Sequence, residues 1–271
     1  MHQYAELIAL CRQAGEAILE VYHRGDTEVW TKDDDSPLTE ADLAANTLLL
    51  EGLARISGLP VVSEEMPVAG REERSSWVSA WLLDPLDGTK EFIGRTGEFT
   101  INLALIENHQ PVFGIIYVPL SGEAFYGGPQ MGAFVQDAQG QVRPLQASNM
   151  LNRLKENLPV RLLASRRHAE PTVDKLCQRL HAGLADVQRT DAGSALKFTL
   201  MCSKQGDIYP RYSNVSEWDI AAGHALLRAV GGEVYDHQFE TMTYLNKPSV
   251  LVPGFFAVAD QKFDWRALLP G

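Results

Sequence analysis

The chain has 271 residues, of which 45% are hydrophobic and 22% are charged, a balance typical of one large or two medium globular domains. Its net charge of −11 argues against a nucleic-acid polymer as partner, because such partners need a basic surface. Its three cysteines are far apart and form no CxxC pair, so we expect neither a disulfide framework nor a zinc cluster, and a reducing, cytoplasmic setting.

The first half of the chain begins with helical patterns and continues with strand patterns. Residues 1–22 carry apolar side chains at every third or fourth position, with charged residues between them. This predicts an amphipathic helix rather than a signal peptide, and no other run predicts a transmembrane segment. A second helix is predicted from Thr39 to Ile56, with Asp42 placed as in a capping box. "FTINLALIE" and "PVFGIIYVP" around "NHQ" predict an antiparallel hairpin.

The second half alternates between strand and helix. Helices are expected at Pro171–Leu180, at "GSALKFTLMCSK" and at Trp218–Val230, each beside short apolar strands. We therefore predict an α+β unit with an antiparallel sheet over residues 1–155, followed by an α/β unit with a mixed sheet over residues 156–271.

Acidic side chains mark the ends of predicted elements. They are Asp42, Glu64, Glu65, Asp84, Asp87 and Asp219. Each has a structural explanation. Asp84-Pro and Asp87-Gly are turn signals, the two glutamates fit a solvated strand end, and Asp42 and Asp219 fit capping boxes. Together, however, such carboxylates can converge on one cleft, where cations would have to offset their repulsion. Oxygen ligands without a histidine cluster favour Mg²⁺, Mn²⁺ or Ca²⁺.

The motif "DPLDGTKEF" would form a tight turn after a strand that ends at Asp84, with Pro85 and Gly88 shaping the loop. Such a turn would direct Asp84, the Leu86 carbonyl and Asp87 towards neighbouring ions. Two ions about 3.5–4 Å apart are the usual clamp for phosphoryl hydrolysis.

These motifs, with "SEE" upstream and "WDIAAGHALLRAVGGEV" downstream, resemble the inositol monophosphatase superfamily of Mg²⁺-dependent, lithium-sensitive phosphatases over nearly the whole chain. The resemblance implies an α-β-α-β-α layered sandwich. It also implies metal ligands, which are Glu64, Asp84, the Leu86 carbonyl, Asp87 and Asp219. Thr89 and Asp42 would orient and deprotonate the attacking water. Two Mg²⁺ ions are expected, and a third, weaker ion would share Glu64 with the loop Asp33–Asp35.

Lys90-Glu91 after the threonine resembles the 3'(2'),5'-bisphosphate nucleotidases more than the inositol monophosphatases, and the bacterial CysQ type most closely. This implies hydrolysis of 3'-phosphoadenosine 5'-phosphate (PAP) to AMP and phosphate, with the 5'-phosphosulfate analogue (PAPS) as a second substrate. The implied substrate contacts are Glu64, Leu86, Asp87, Gly88, Thr89, His168, Ser194, Lys197, Arg211 and Asp219. Ala195 departs from relatives that carry a second serine, which leaves the substrate preference open.

Several alternatives remain at this level. Lys197 could be a surface lysine, His168 a helix-start residue, and Gly193-Ser194 an N-cap. The protein could instead hydrolyse inositol or sugar monophosphates, or be a divalent-binding module without activity. The resemblance also implies a cytoplasmic enzyme, with peripheral association at the inner membrane as a further expectation. The sequence does not indicate an oligomeric state.

Overall fold

The computed structural model of the protein describes residues 2–25, 27–32, 36–166 and 171–269. Two helices form the first layer, α1 (His2–Arg24) and α2 (Glu40–Ile56), with a hairpin of β1 (Val29–Thr31) and β2 (Pro37–Thr39) between them. Thr39 is the N-cap of α2, as predicted, and its backbone N–H donates to Asp42 at 2.7 Å. Among the described residues, no helix is long and apolar enough to cross a membrane.

A seven-stranded sheet forms the second layer. Its order is β3 (Val61–Ser63), β4 (Ser79–Asp87), β5 (Thr100–Glu107), β6 (Gln110–Val118), β7 (Glu123–Gly128), β8 (Gly132–Gln136) and β9 (Val142–Pro144). Only the β3–β4 pair is parallel. Asn108 and His109 connect β5 to β6 with φ of 47° and 65°, the positive values that a tight two-residue hairpin turn requires. The predicted hairpin is confirmed.

In the described part of the chain, three further helices lie in the first half, and three more helices with the remaining strands form the second half. In chain order the helices are α3 (Arg71–Ser76), α4 (Thr89–Ile93), α5 (Met150–Lys155), α6 (Pro171–Gly183), α7 (Leu196–Cys202) and α8 (Glu217–Ala229). A mixed five-stranded sheet has the order β11 (Val187–Ala192), β10 (Val160–Ser165), β12 (Ile208–Arg211), β16 (Phe255–Val258) and β14 (Glu233–Tyr235). The strands β13 (Val215–Ser216) and β15 (Leu251–Val252) form a separate pair.

The side-chain alternation of the strands shows how the layers stack. Trp81 and Leu83 of β4 pack with α1 and α2, whereas Leu82 packs with α7 and α8. In the second sheet, Leu163 faces α7 and α8, and Leu162 faces α6. The order is therefore helices, sheet, helices, sheet, helices, which confirms the predicted α-β-α-β-α sandwich. The division between residues 155 and 156 stays a prediction, since α8 packs between the two sheets.

The end of β4 differs from the prediction. The strand does not end at Asp84 but continues to Asp87, so the prediction of a tight turn at Asp84 is wrong. Asp84 lies opposite Asn102 and Asp87 lies opposite Thr100, so three steps on β4 match two steps on β5. This is a β-bulge, which bends a strand without ending its pairing. Inside it, the backbone N–H of Leu86 donates to the Asp84 carboxylate at 3.0 Å.

Candidate active site

Three carboxylates from separate elements meet at one edge of the seven-stranded sheet. Glu64 follows β3, Asp84 lies on β4, and Asp219 lies in the first turn of α8. One oxygen of each lies within 4.8 Å of the others. Glu64 and Asp84 come together because β3 and β4 are parallel neighbours, so their carboxyl ends reach the same edge. The predicted convergence of these carboxylates is thus present.

The electrostatics of this cluster fit a divalent cation. Asp84 is 1% exposed. Burial, followed by repulsion from Glu64, Asp87 and Asp219, raises the pKa of Asp84 well above its ordinary value. Burial and the charges of Asp87 and Glu64 raise the pKa of Asp219 in the same way. Buried oxygens that repel one another are the ligand set that a hard divalent ion neutralises.

Asp87 is oriented from both halves of the chain. Its Oδ2 accepts hydrogen bonds from the backbone N–H of Ala195 at 2.6 Å and from Asn102 Nδ2 at 3.1 Å. Asn102 is itself oriented, because its side-chain oxygen accepts from the hydroxyl of Thr100 at 2.9 Å. Burial raises the pKa of Asp87 to about 6, against the opposing effect of the Lys197 ammonium. Asn102 and Thr100 were not among the predicted site residues.

The predicted pair Asp42 and Thr89 is in contact. The Thr89 hydroxyl lies 3.2 Å from Asp42 Oδ1 and 3.3 Å from the Leu86 carbonyl oxygen. The other oxygen of Asp42 accepts from the hydroxyl and the backbone N–H of Thr39 at 2.5 and 2.7 Å. Burial raises the pKa of Asp42 to about 6 although these bonds from Thr39 lower it. The same carboxylate therefore caps α2 and faces Thr89, so its structural and functional interpretations are compatible.

Lys32 is part of the site although its sequence context did not indicate this. Its ammonium lies 2.7 Å from Glu64 Oε1 and 2.6 Å from Glu65 Oε1. Burial alone would lower the pKa of Lys32, but Glu64 and Glu65 raise it above its ordinary value. Glu64, a predicted metal ligand, thus already has a cationic neighbour. Asp33–Asp35, where a third ion was predicted, lie outside the described residues.

The acidic cluster opens into a cavity of about 330 Å³ that both halves of the chain line. The predicted residues on its wall are Glu64, Asp84, Leu86, Asp87, Gly88, Thr89, Ser194, Lys197, Arg211 and Asp219. Asp42 lies behind Thr89, and His168 lies outside the described residues. Tyr209 and Phe255 also line the cavity and were not predicted. Nucleic-acid bases commonly stack on such aromatic side chains, but these two residues carried no distinguishing signal in the sequence.

Lys197 is not a surface lysine. Its side chain is buried, and its ammonium donates to the carbonyl oxygens of Ala192 and Ser194 at 2.9 and 2.7 Å. The ammonium also lies 5.0 Å from the centre of the Tyr209 ring. Burial lowers the pKa of Lys197 to about 8, although Asp87 opposes this shift. Two of its three N–H groups are therefore used within the protein.

The segment before α7 excludes one of the alternatives, an N-cap at Gly193-Ser194. The helix begins at Leu196, and Ser194 has a left-handed φ of 44°, so Gly193-Ser194 is not the N-cap. Ser194 is instead part of a turn over residues 192–195 that faces Gly88: a Cβ on Gly88 would lie 3.3 Å from the Ser194 Cβ. We call this segment the 192–195 turn.

Known proteins resemble the chain in sequence and in fold. The inositol monophosphatase family matches residues 1–263. The 3'(2'),5'-bisphosphate nucleotidase CysQ of Salmonella typhimurium is 41% identical over 252 residues, which cover 92% of this chain and 97% of that protein. The corresponding protein of Escherichia coli K12 is 38% identical, with the same coverage.

Solved structures agree with these matches. CysQ from Bacteroides thetaiotaomicron, described as a bacterial member of the inositol monophosphatase family, has a TM-score of 0.78 and 35% identity over 96% of this chain and 98% of that chain. SuhB from Bartonella henselae shares the fold, with a TM-score of 0.74 and 21% identity over 96% of this chain and 95% of that chain. The resemblance to the CysQ type is confirmed, and the chain belongs to the inositol monophosphatase family.

Proposed function

We propose that the protein is a Mg²⁺-dependent 3'(2'),5'-bisphosphate nucleotidase that hydrolyses the 3'-phosphate of PAP to give AMP and phosphate. PAPS is the second substrate that we expect. One observation carries the proposal: a single cavity is lined both by the acidic side chains Glu64, Asp84 and Asp219 and by the cationic side chains Lys197 and Arg211. A substrate with two phosphates suits this arrangement. The names of the CysQ relatives support the same activity.

We assign metal binding to Glu64, Asp84, Asp87, Asp219 and the Leu86 carbonyl. Two Mg²⁺ ions, when bound there, would neutralise phosphate charge and lower the pKa of a bound water. The protein supplies the oxygens in fixed positions. Asp87 has one oxygen committed to Ala195 and Asn102, which directs its other oxygen to the ligand role. A third ion near Asp33–Asp35 stays a prediction.

Thr89 and Asp42 then act on the attacking water. Because the Thr89 hydroxyl donates to Asp42, its oxygen lone pairs can accept a hydrogen bond from water and so aim it. Asp42 is the group that takes the proton, since its ionised form is the base nearest to that hydroxyl. Its other oxygen is fixed by Thr39, so the side chain does not have to reorient.

Lys197 and Arg211 would hold the second phosphate, and Tyr209 and Phe255, which line the same cavity, would provide apolar surface for the nucleoside. An arginine can bind phosphate through two parallel hydrogen bonds. Lys197 contributes its charge and one remaining N–H, because the others are bound to Ala192 and Ser194. Ser194 and His168 complete the predicted nucleotide contacts.

The test is phosphate release, with and without Mg²⁺, from PAP, PAPS, inositol 1-phosphate and fructose 1,6-bisphosphate. We expect PAP to have the highest kcat/KM, and we expect Asp84→Asn to abolish release. Asp186→Asn is the matched control, because the Asp186 side chain is 83% exposed and is not among the residues that line the cavity. A clear preference for inositol 1-phosphate would replace the proposal with an inositol monophosphatase. Metal binding without any phosphate release would indicate a divalent-binding module.

A further inference from the structure

We propose that Glu98, which is not among the predicted site residues, is a positioning residue: it holds the 192–195 turn of the second half in the place from which Ala195 orients Asp87. The inference rests on the proposed function, because it assigns Glu98 a role in organising that same site. Glu98 belongs to the loop between α4 and β5. It would act through the turn and would not contact the substrate.

The Glu98 carboxylate connects loops from both halves of the chain. Its Oε2 accepts from the backbone N–H of Gly193 at 3.0 Å and from Arg166 Nε at 2.8 Å, and its Oε1 accepts from Arg166 Nη2 at 2.7 Å. Arg166 follows β10 and also donates to the Asp191 carbonyl at 2.8 Å. The hydrogen bonds from Arg166 lower the pKa of Glu98, so its carboxylate is ionised and is a strong acceptor for Gly193.

Two residues beyond Gly193, the backbone N–H of Ala195 donates to Asp87. Between them, Ser194 has a φ of 44°, a conformation that is costly for a residue with a Cβ and persists only where the surroundings impose it. Within the turn, the Lys197 ammonium donates to the carbonyl oxygens of Ala192 and Ser194. Glu98 accepts from the N–H of Gly193, so loss of the carboxylate would release the turn one residue before the strained Ser194.

Close packing limits where the turn can lie. A Cβ on Gly193 would lie 3.0 Å from the Cβ and Oε2 of Glu98 and 3.0 Å from the Cγ of Glu91. A Cβ on Gly88 would lie 2.8 Å from the Glu98 carbonyl oxygen. The backbone of the 192–195 turn therefore contacts the Glu98 side chain, and the Glu98 backbone contacts Gly88, beside the assigned metal ligand Asp87. A shift of the turn changes the distance between Ala195 and Asp87.

The hydrogen bond from Gly193 to Glu98, rather than the ion pair of Glu98 with Arg166, holds the turn in place. The Arg166 side chain is 49% exposed and that of Glu98 is 20% exposed, so the pair is screened by solvent and contributes little by itself. The Gly193 N–H, by contrast, loses its carboxylate partner when Glu98 is truncated. This distinction predicts different results for variants of the two residues.

Three measurements on the full-length protein test the proposal. They are hydrogen–deuterium exchange over residues 190–200, binding of Mn²⁺ followed by the EPR signal of the free ion, and the Mg²⁺ concentration that gives half-maximal phosphate release from PAP. We expect Glu98→Ala to speed exchange in the turn and to weaken Mn²⁺ binding by roughly tenfold, the lower end of the effect of residues that support metal ligands. Glu98→Gln keeps an acceptor oxygen and should restore both within about threefold of the wild type.

Two further variants make the comparison specific. Arg166→Ala should stay close to the wild type, and Glu107→Ala, an exposed position at the end of β5, should be unchanged. If Glu98→Ala unfolds the protein, Glu98→Asp replaces it, because the shorter carboxylate keeps its charge but draws back from Gly193. Unchanged exchange and unchanged Mn²⁺ affinity in Glu98→Ala or Glu98→Asp would refute the proposal, as would equal effects of Glu98→Gln and Glu98→Ala.

The test of the positioning role of Glu98 can be distinguished from the test of the proposed function. If wild-type protein releases no phosphate from PAP but the Glu98 variants alter exchange and Mn²⁺ affinity, the substrate assignment is wrong and the positioning role holds. If wild-type protein is active on PAP and the Glu98 variants change neither exchange nor Mn²⁺ affinity, the positioning role is wrong and the substrate assignment holds.

Discussion

The hydroxyl of Thr89 lies 3.2 Å from the carboxylate of Asp42, although 47 residues separate the two in the chain. Asp42 is placed by the first turn of α2, and Thr89 by the start of α4 just beyond the β4 bulge. The contact therefore depends on the packing of α2 against the sheet. It brings a carboxylate to a hydroxyl beside the cluster of Glu64, Asp84 and Asp219.

The first prediction concerns this pair. Thr89→Ala and Asp42→Asn should each lower kcat on PAP by roughly 10²–10⁴-fold, the usual contribution of a positioned acid–base group. Mn²⁺ binding should change little, since neither residue is assigned as a metal ligand. Thr47→Ala, on the exposed face of α2, is the control. If both variants lost metal binding and activity in proportion, the assigned roles would be wrong.

A second prediction concerns Asp84 in the absence of metal. Asp84→Asn removes a buried carboxylate that Glu64, Asp87 and Asp219 repel, so the metal-free variant should unfold at a higher temperature than the metal-free wild type at pH 8. Addition of Mg²⁺ should raise the Tm of the wild type and leave that of the variant nearly unchanged. Thermal unfolding in EDTA and in Mg²⁺ measures both effects. A variant that is less stable than the wild type in EDTA would contradict the repulsion argument.

A third prediction concerns pH. Burial raises the pKa of Asp42 and of Asp87 to about 6 from an ordinary 3.8. A carboxyl whose pKa is higher in the folded state binds protons more tightly there, so stability falls as the pH rises through the window between these values. The metal-free protein should therefore lose stability between about pH 4 and 6, and the Tm gain from Mg²⁺ should be larger at pH 8 than at pH 5.

The same shifts bear on turnover. Asp42 must be ionised to accept a proton, and the metal carboxylates must be ionised to bind, so activity should fall as the pH drops below about 6. Initial rates in saturating Mg²⁺ between pH 5 and 8 check this. Full activity at pH 5 would show that another group accepts the proton.

A fourth prediction concerns Asn102. Asn102→Ala removes one of the two donors that fix Asp87 Oδ2 and should weaken Mn²⁺ binding by roughly 10–100-fold. Asn152→Ala, at an exposed position in α5, is the matched control and should bind as the wild type does. Equal Mn²⁺ affinity in both variants would mean that Ala195 alone is sufficient to orient Asp87.

Much of the fold could be predicted from local patterns. The capping box at Thr39, the hairpin at Asn108 and the alternation of strand and helix in the second half each arise from neighbouring residues, and each is confirmed. The order of the layers was instead implied by the family resemblance. The hairpin of β1 and β2 was missed, because its strands have three residues each and flank an acidic segment.

Parts of the site could not be predicted because they depend on contacts between distant segments. The ion pair of Lys32 with Glu64 and the orientation of Asp87 by Ala195 join residues that no local pattern relates. The left-handed φ of Ser194 is similar: Gly-Ser before an apolar helix left an N-cap open as an alternative, and the helix begins only at Leu196. Burial of Lys197 likewise follows from the packing of α7 rather than from its neighbours in sequence.

The irregularity in β4 has a consequence for how many oxygens one strand can present. In a regular strand, residues three apart point to opposite faces, yet Leu83 and Leu86 are buried in the same cluster beside α1 and α2. The extra residue has reset the alternation, which places Asp84 and Asp87 on a common side. The Leu86 carbonyl oxygen lies between these two aspartates, 3.3 Å from the Thr89 hydroxyl. Because of this single extra residue, three consecutive oxygen-bearing groups of one strand, Asp84, the Leu86 carbonyl and Asp87, belong to residues that line the same cavity.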